Sequence, residues 1–265
     1  MIPYPLPLDT SEVLQRSLHK CHNPGLIFER YTPKIRKGKK SAQDKQKVLQ
    51  IIRDCQPDQH AMDAYRHRWS TVVAAANAIT FTAQTDWRFV TGLGRNTPFE
   101  VGFTFHRLYG FPLIPSSGLK GLARSWAYFR LKEEKPDGKP EEDPLFADVF
   151  GRAPEGDDGA AGAGGAVFFE AVPLDPPGLE LDVMTPHFPD YYGDKSPPTD
   201  DQNPIPIPFL TVKEDVRFSF AVGWRGEPNP EAHPQAVEWL KAGLENLGAG
   251  AKTAAGYGYW IVEEA

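Results

Sequence analysis

The sequence predicts an α+β fold: a ferredoxin-like (RRM-like) β-α-β-β-α-β domain carrying insertions, preceded by a helical extension. Three observations predict it. The hydrophobic period switches from helical to strand-like at Ile79. Two amphipathic helical runs, beginning at Ser116 and near Pro234, each fall between stretches of strand-like alternation. With two loop-rich insertions set aside, the remaining elements follow the order of the split unit, four antiparallel strands backed by two helices.

Residues 1–40 are Pro-rich, basic and poorly patterned, which predicts an arm or a loosely docked segment. Asp44 to Asp54 predicts a short helix with Val48, Leu49, Ile51 and Ile52 on its apolar side. From Asp58, the spacing Met62, Tyr65, Trp69, Val72/Val73, Ala76 marks one face of a second helix, with Arg66, His67 and Asn77 on the other. The expected division is therefore an N-terminal arm and basic helical extension over 1–78 and the main domain over 79–265.

Ile79, Phe81, Ala83, Thr85, Trp87 and Phe89 alternate with polar residues, as in a long half-buried strand, and Val101, Phe103 and Phe105 repeat the pattern. The first helix of the domain takes Leu119, Leu122, Trp126 and Phe129 as its apolar positions, with Ser116 and Ser117 as N-cap candidates. Residues 133–165 hold ten acids and a Gly/Ala tract and read as a surface insertion, mostly loop. Strand signals resume at Ala166–Val172 and Val216–Trp224. Between them, the Pro-, Asp- and Tyr-rich stretch over about 184–208 is too long for an ordinary turn and is a functional-loop candidate. Pro234, then Val237, Leu240, Leu244 and Leu247 with Gly248 after them, spell a bounded helix, and Gly256–Val262 a last strand.

The chain has 265 residues, 40% of them hydrophobic, enough for a sizeable core. No apolar run is long enough to span a membrane, and Met1–Asp9 lacks the pattern of a secretory signal, so a cytoplasmic protein without a membrane partner is expected. The net charge of −6 is unevenly spread. The stretch Arg30–Arg68 carries 11 Lys or Arg against four acids, leaving −13 on the rest. A basic lobe on an acidic body is either an element aimed at a polyanion or an acidic subunit, or a solvated loop. Cys21 and Cys55 make neither a disulfide framework nor a CxxC zinc site, and His19-x-Cys21-His22 has no matching second cluster. No metal or cofactor is expected.

Two segments carry chemistry. Gly248-Ala-Gly250-Ala-Lys252-Thr253-Ala-Ala-Gly256-Tyr-Gly258-Tyr sets four glycines within eleven positions beside one Lys and one Thr, so its backbone can approach a bulky ligand and offer N–H groups to phosphate. It is not a nucleotide-binding P-loop. Ala251 stands where the Gly before Lys belongs, and the loop follows a helix and enters a strand, the reverse of the required context. The second segment is Ile114-Pro-Ser116-Ser117-Gly118-Leu-Lys120-Gly-Leu-Ala-Arg124. A Lys in the first helical turn opposes the helix dipole unless an anion sits there too.

Together these segments resemble the two signature stretches of the RAMP superfamily of CRISPR-associated RNA-binding proteins. VTGLGRN from Val90, Glu100, Tyr109-Gly-Phe-Pro-Leu-Ile-Pro, the tract from Asp182 through His187 to Tyr191-Tyr192, and Asn203-Pro-Ile-Pro-Ile-Pro-Phe-Leu narrow the resemblance. They are similar to the sixth-subunit family of type III-B (Cmr) effector complexes, in order from Thr80 to Val262. The resemblance implies a non-catalytic subunit that holds guide (CRISPR) RNA near its 3′ end, with target RNA in the same complex. Its expected protein partners are other Cmr subunits, the repeated backbone subunit above all. Ser116, Ser117, Gly118, Lys120, Arg124, Gly248, Gly250, Lys252, Thr253, Gly256 and Gly258 are the expected guide-backbone contacts. The 184–208 excursion resembles a thumb-like hairpin whose His187, Tyr191 and Tyr192 stack on bases.

Two alternatives stand beside this. His187, Tyr191 and Lys195 suit metal-independent cleavage of guide RNA, and Asp190, Asp194, Asp200 and Asp201 suit magnesium-dependent cutting of a target. A purely protein-binding scaffold is the third class.

Overall fold

The computed structural model describes residues 6–33, 41–97, 99–152, 162–185, 197 and 206–263. Four helices come first: α1 (Leu8–Ser17), α2 (Pro24–Glu29), α3 (Ser41–Asp54) and α4 (Gln59–Ala75). There follow β1 (Ile79–Thr85), α5 (Ser116–Glu134), α6 (Pro144–Phe150), β2 (Gly151–Arg152), β3 (Gly162–Ala163), β4 (Ala166–Phe168) and β5 (Val172–Pro173). The chain goes on through β6 (Leu179–Met184), β7 (Ile207–Val212), β8 (Arg217–Trp224), α7 (Ala232–Asn246) and β9 (Trp260–Val262).

The main sheet runs β4-β8-β1-β9, antiparallel at every step, with β5 also pairing β8. Its register is fixed by burial: Phe81 faces Phe220 and Ala83 faces Phe218, so the apolar sets of β1 and β8 share a face. Phe218 and Phe220 meet Trp260 edge-on, with centroids 5.3 and 5.4 Å away. Helices α5 and α7 pack on one another through small residues. A Cβ on Gly243 would lie 3.1 Å from Leu122 Cγ, so a larger residue there would make Leu122 shift by a few tenths of an ångström. Leu119, Ala123 and Ala127 are covered, while Phe129, expected on the apolar side, is exposed.

Several expectations need correction. The long strand ends at Thr85, because the Asp86 N–H turns to Tyr259 O and Phe89 pairs with Val212 instead. Val101, Phe103 and Phe105 are buried but form no strand. Gly102 and Thr104 spend their N–H groups on Leu93 and Thr91 carbonyls, so the alternation reflects burial rather than a ladder. The described part of 133–165 is not mostly loop: Asp143 caps α6 by accepting from the Leu145 and Phe146 N–H groups, and Phe146 and Val149 are fully buried. Nor is all of 1–40 loosely docked. Asn23 caps α2 and donates to the Arg107 and Leu108 carbonyls, and Phe28 stacks on Phe99 at 5.0 Å. The last strand begins at Trp260, not Gly256.

A separate hairpin, β6–β7, is paired from Leu179–Val212 to Met184–Ile207, and α3 lies against it. It is the stem of the 184–208 excursion. Residues 186–196 and 198–205 lie outside the described residues, and with them His187, Asp190, Tyr191, Tyr192, Asp194, Lys195, Asp200 and Asp201. Among the described residues no helix is long and apolar enough to cross a membrane.

Candidate nucleic-acid interface

Helix α5 begins one residue earlier than a serine cap would place it. Pro115, extended at ψ 142°, holds the N-cap position and offers no side-chain acceptor. Ser116 and Ser117 therefore occupy the first turn instead of capping it. The N-terminal N–H groups are left without a capping side chain, a ready arrangement for an anion. Lys120 is half-buried and forms no ion pair among the described residues. Gly118 and Gly121 are exposed, and a Cβ on either would have nothing within 4 Å. Neither glycine is required by the chain's own packing, although each weakens the helix by about 1 kcal/mol relative to alanine. Arg124 is placed differently. Its guanidinium lies 5.3 Å from the Phe146 ring centroid and 3.5 Å from Glu141, which ties it to the α6 side.

The Gly-rich loop between α7 and β9 uses its glycines mainly on itself. Gly248, Gly250, Gly256 and Gly258 all have positive φ, and so does Lys252 at 62°. A Cβ on Gly250 would sit 2.2 Å from Val90 O, and one on Gly258 2.0 Å from Ala249 O. Those two positions let backbone meet backbone, not backbone meet ligand. Ala249, Ala251, Ala255, Gly256, Tyr257 and Gly258 give their N–H groups to backbone carbonyls, so much of the expected phosphate-binding capacity is already spent. What the loop presents outward is the half-buried Lys252 and Thr253 and the exposed 254–256 turn. The Lys252 amine lies 5.7 Å from the centroids of both Phe209 and Tyr257, a cation–π seat that fixes where the charge stands.

Both segments are sewn to one short stretch. Val90 O accepts from Ala251 N at 2.9 Å, and the next residue, Thr91, donates its hydroxyl to Leu113 O at 2.9 Å, just ahead of α5. On the helix side, Leu122 meets Gly243 near the end of α7, whose C-terminus leads directly into the loop. The start of α5 and the Gly-rich loop thus flank the same residues, 90–91.

The hairpin stem joins them through residues that sequence reasoning missed. Arg88 lies 3.0 Å from Glu180 and 2.6 Å from Asp182, and the Tyr257 hydroxyl donates to Asp182 at 2.7 Å. Burial by itself raises the Asp182 carboxyl, but bonds from Tyr257, the Val183 N–H and Arg88 outweigh it and hold the group below the usual carboxylate range. Burial first, then the bond to Asp182, pushes the Tyr257 phenol up to about 12. Trp87, 37% exposed, sits 4.8 Å from the Tyr257 ring with Arg88 over its face. Period-two alternation puts Trp87 on the buried side of a strand; the structure leaves it partly exposed beside the Lys252 loop.

The basic lobe is partly consumed within the chain. Lys45 pairs with Glu100, Arg53 with Asp54 and Arg66 with Asp63, and Arg68 donates to the Tyr109 hydroxyl. The Lys34–Lys40 segment lies outside the described residues. Among the described residues, no group of three or more His, Cys, Asp or Glu is placed to hold a metal ion.

Comparison with known proteins follows the same map. Residues 80–262 match the RAMP superfamily. The chain is 34% identical over 243 residues to the CRISPR system Cmr subunit Cmr6 of Pyrococcus furiosus, the match covering 73% of this chain and 71% of that protein. It is 27% identical over 173 residues to the Cmr6 subunit of Saccharolobus solfataricus, spanning 63% of this chain and half (50%) of that one. Among solved structures, a chain of the type III-B Cmr-beta complex bound to cognate target RNA superposes with a TM-score of 0.61 at 22% identity. That alignment covers 97% of this chain and 86% of the other, a likeness of fold that takes in most of the helices preceding residue 80.

Proposed function

The chain belongs to the RAMP superfamily and is a homologue of the Cmr6 subunits, and from that premise we propose that it is a non-catalytic RNA-binding subunit of a type III-B CRISPR effector complex. It acts in the cytoplasm and holds the guide RNA by its backbone near the 3′ end, beside the repeated backbone subunit, in a complex that also takes up target RNA. The β4-β8-β1-β9 order backed by α5 and α7 supports a ferredoxin-like reading of the domain.

The observation that carries the proposal is that an uncapped helix N-terminus, with Gly118, Lys120 and Gly121 in its first two turns, and the Lys252 turn flank the same residues, Val90–Thr91. Open glycines let a sugar-phosphate strand lie close against the helix, while the uncapped N–H groups and two amines meet its charge. Such contacts read backbone rather than base sequence, as an arbitrary guide requires. Trp87 adds a stacking surface at the rim of the same loop. With −13 outside its basic lobe, the isolated chain holds RNA weakly, and tight binding belongs to the assembly.

The test is guide-RNA binding by the assembled complex across a salt series, with Lys120→Ala/Lys252→Ala subunit against wild type. Loss of two phosphate contacts flattens the log–log slope by about 1.4. An unchanged slope and affinity would instead indicate a protein-binding scaffold. Incubation of the pure chain with repeat-containing and target RNA, with and without Mg²⁺, tests the non-catalytic part. Cleavage abolished by His187→Ala or Asp190→Ala would make it a nuclease.

A further inference from the structure

The two cysteines, 34 positions apart in sequence, are brought together, and the RNA-binding reading leaves them unused. Cys21 follows the single turn 18–20, and Cys55 is the first residue after α3. The Cys55 Sγ lies 2.9 Å from Cys21 O, its side chain also meets the Cys21 thiol, and both residues are half-buried rather than sealed in the core. We infer that Cys21 and Cys55 are a peroxide-responsive pair that closes to an intramolecular disulfide around the stretch 21–55, which carries most of the basic segment's Lys and Arg.

The chemistry assigns each sulfur a part. The bond from the Cys55 thiol lowers the Cys21 pKa to about 6, with burial opposing and the Asn23 backbone and His22 assisting. The same bond and burial push Cys55 up, so Cys21 is the more readily ionised of the two sulfurs and Cys55 the one that holds its proton. The Cys21 thiolate attacks one oxygen of hydrogen peroxide. The O–O bond breaks, hydroxide leaves, and Cys21 becomes a sulfenic acid. The Cys55 sulfur then attacks the Cys21 sulfur, the S–O bond breaks, and the hydroxyl leaves as water with the Cys55 proton. Two thiols are oxidised by two electrons and one peroxide is reduced to two waters. No third cysteine exists in the chain to divert the product.

The bridge would tie the turn before α2 to the end of α3, clamping the stretch that holds the Lys34–Lys47 cluster at both ends. A closed loop of that length raises the unfolding temperature by about 5–10 °C.

The experiment uses the full chain, reduced and folded, exposed to hydrogen peroxide near neutral pH. The expected result is the loss of two hydrogens in the intact mass, both cysteines refractory to alkylation until reductant is added, and the rise in unfolding temperature. In Cys55→Ser, Cys21 halts at the sulfenic or a higher acid; in Cys21→Ser, the remaining thiol stays reduced at the same dose. The inference is overturned if both wild-type thiols remain alkylatable after peroxide, if the bridge joins two chains, or if it forms only in denaturant. Those readouts on wild type stand even where a serine variant fails to fold.

Discussion

The Tyr257 hydroxyl donates to Asp182 Oδ2 at 2.7 Å, the same oxygen that the Arg88 guanidinium contacts at 2.6 Å. A residue of the Gly-rich loop, one of the hairpin stem and one following β1 thereby share a single carboxylate. The stem of the 184–208 excursion is joined to the lysine-bearing loop by charge-assisted bonds rather than by apolar contact alone.

Removing the phenol isolates this joint. Tyr257→Phe keeps the ring against Trp87 and Phe209 but deletes the donor, and is expected to lower stability by about 1–2 kcal/mol in urea or thermal unfolding. Because the folded Asp182 pKa lies below its unfolded value, the stabilisation is present above about pH 4 and fades as pH falls through the folded value. Wild type should therefore lose stability more steeply than Asp182→Asn in that acid range. Asp182→Asn should also bring the Tyr257 phenol down from about 12 toward 10, read by ultraviolet titration.

The helical glycines separate folding from binding. Gly118→Ala and Gly121→Ala meet no atom within 4 Å and should each stabilise the chain by about 0.5–1 kcal/mol. In the assembled complex the same substitutions should weaken guide retention by several-fold. Alanines that stabilise and leave RNA retention untouched would remove α5 from the interface.

Gly250→Ala should behave in the opposite sense. Its Cβ would collide with Val90 O, at a φ of 89° that side chains rarely adopt, and the expected loss is about 2–4 kcal/mol of stability. Gly256→Ala, whose nearest neighbour would be Trp87 at 3.9 Å, should cost less, chiefly its backbone conformation. Denaturation midpoints of the two variants check the ranking.

Docking of α4 should depend on pH. The His106 ring lies 4.8–4.9 Å from the rings of Tyr65, Tyr109 and Phe111, and its Nδ1 accepts from the Leu108 and Tyr109 N–H groups. Burial lowers its pKa, with Glu170 working the other way. A depressed folded value means stability is full above about pH 6.5 and is lost as pH falls through the folded value. Hydrogen-exchange protection factors across residues 59–75, taken relative to the intrinsic rate at each pH, should fall as pH drops below about 6.5, and that fall should vanish in His106→Gln.

What could be read from sequence followed from locality. The switch of period at Ile79, the apolar run of β8 and the Gly248 stop after α7 are properties of neighbouring residues, and each element appears close to where its pattern lies. Helix α6 escaped because it is only 7 residues long, so its buried Phe146 and Val149 give one helical spacing in an acidic, Gly-rich stretch. The site was harder still. Gly250 carries no mark distinguishing a glycine that admits Val90 O from one that admits phosphate, since Val90 is far away in sequence. Arg88 read as the polar side of a strand, and only the fold supplies Glu180 and Asp182, 92 and 94 positions on. Lys120 and Lys252 were recognisable from their motifs, but the stretch that unites them was not.

The burial of Ile27, Phe28, Leu49 and Ile52 in the same cluster as Phe218 and Leu240 has a further consequence. Residue 80 marks where the family likeness starts, yet it is not a place where the polypeptide can be divided. Excising the first 78 residues would withdraw about 6–12 kcal/mol of apolar burial from those four side chains, comparable with the whole stability of an ordinary domain, and would lay Phe99 and Phe105 open to water. A fragment trimmed to the recognisable homology should aggregate on expression, and its recovery should require the missing helices supplied in trans.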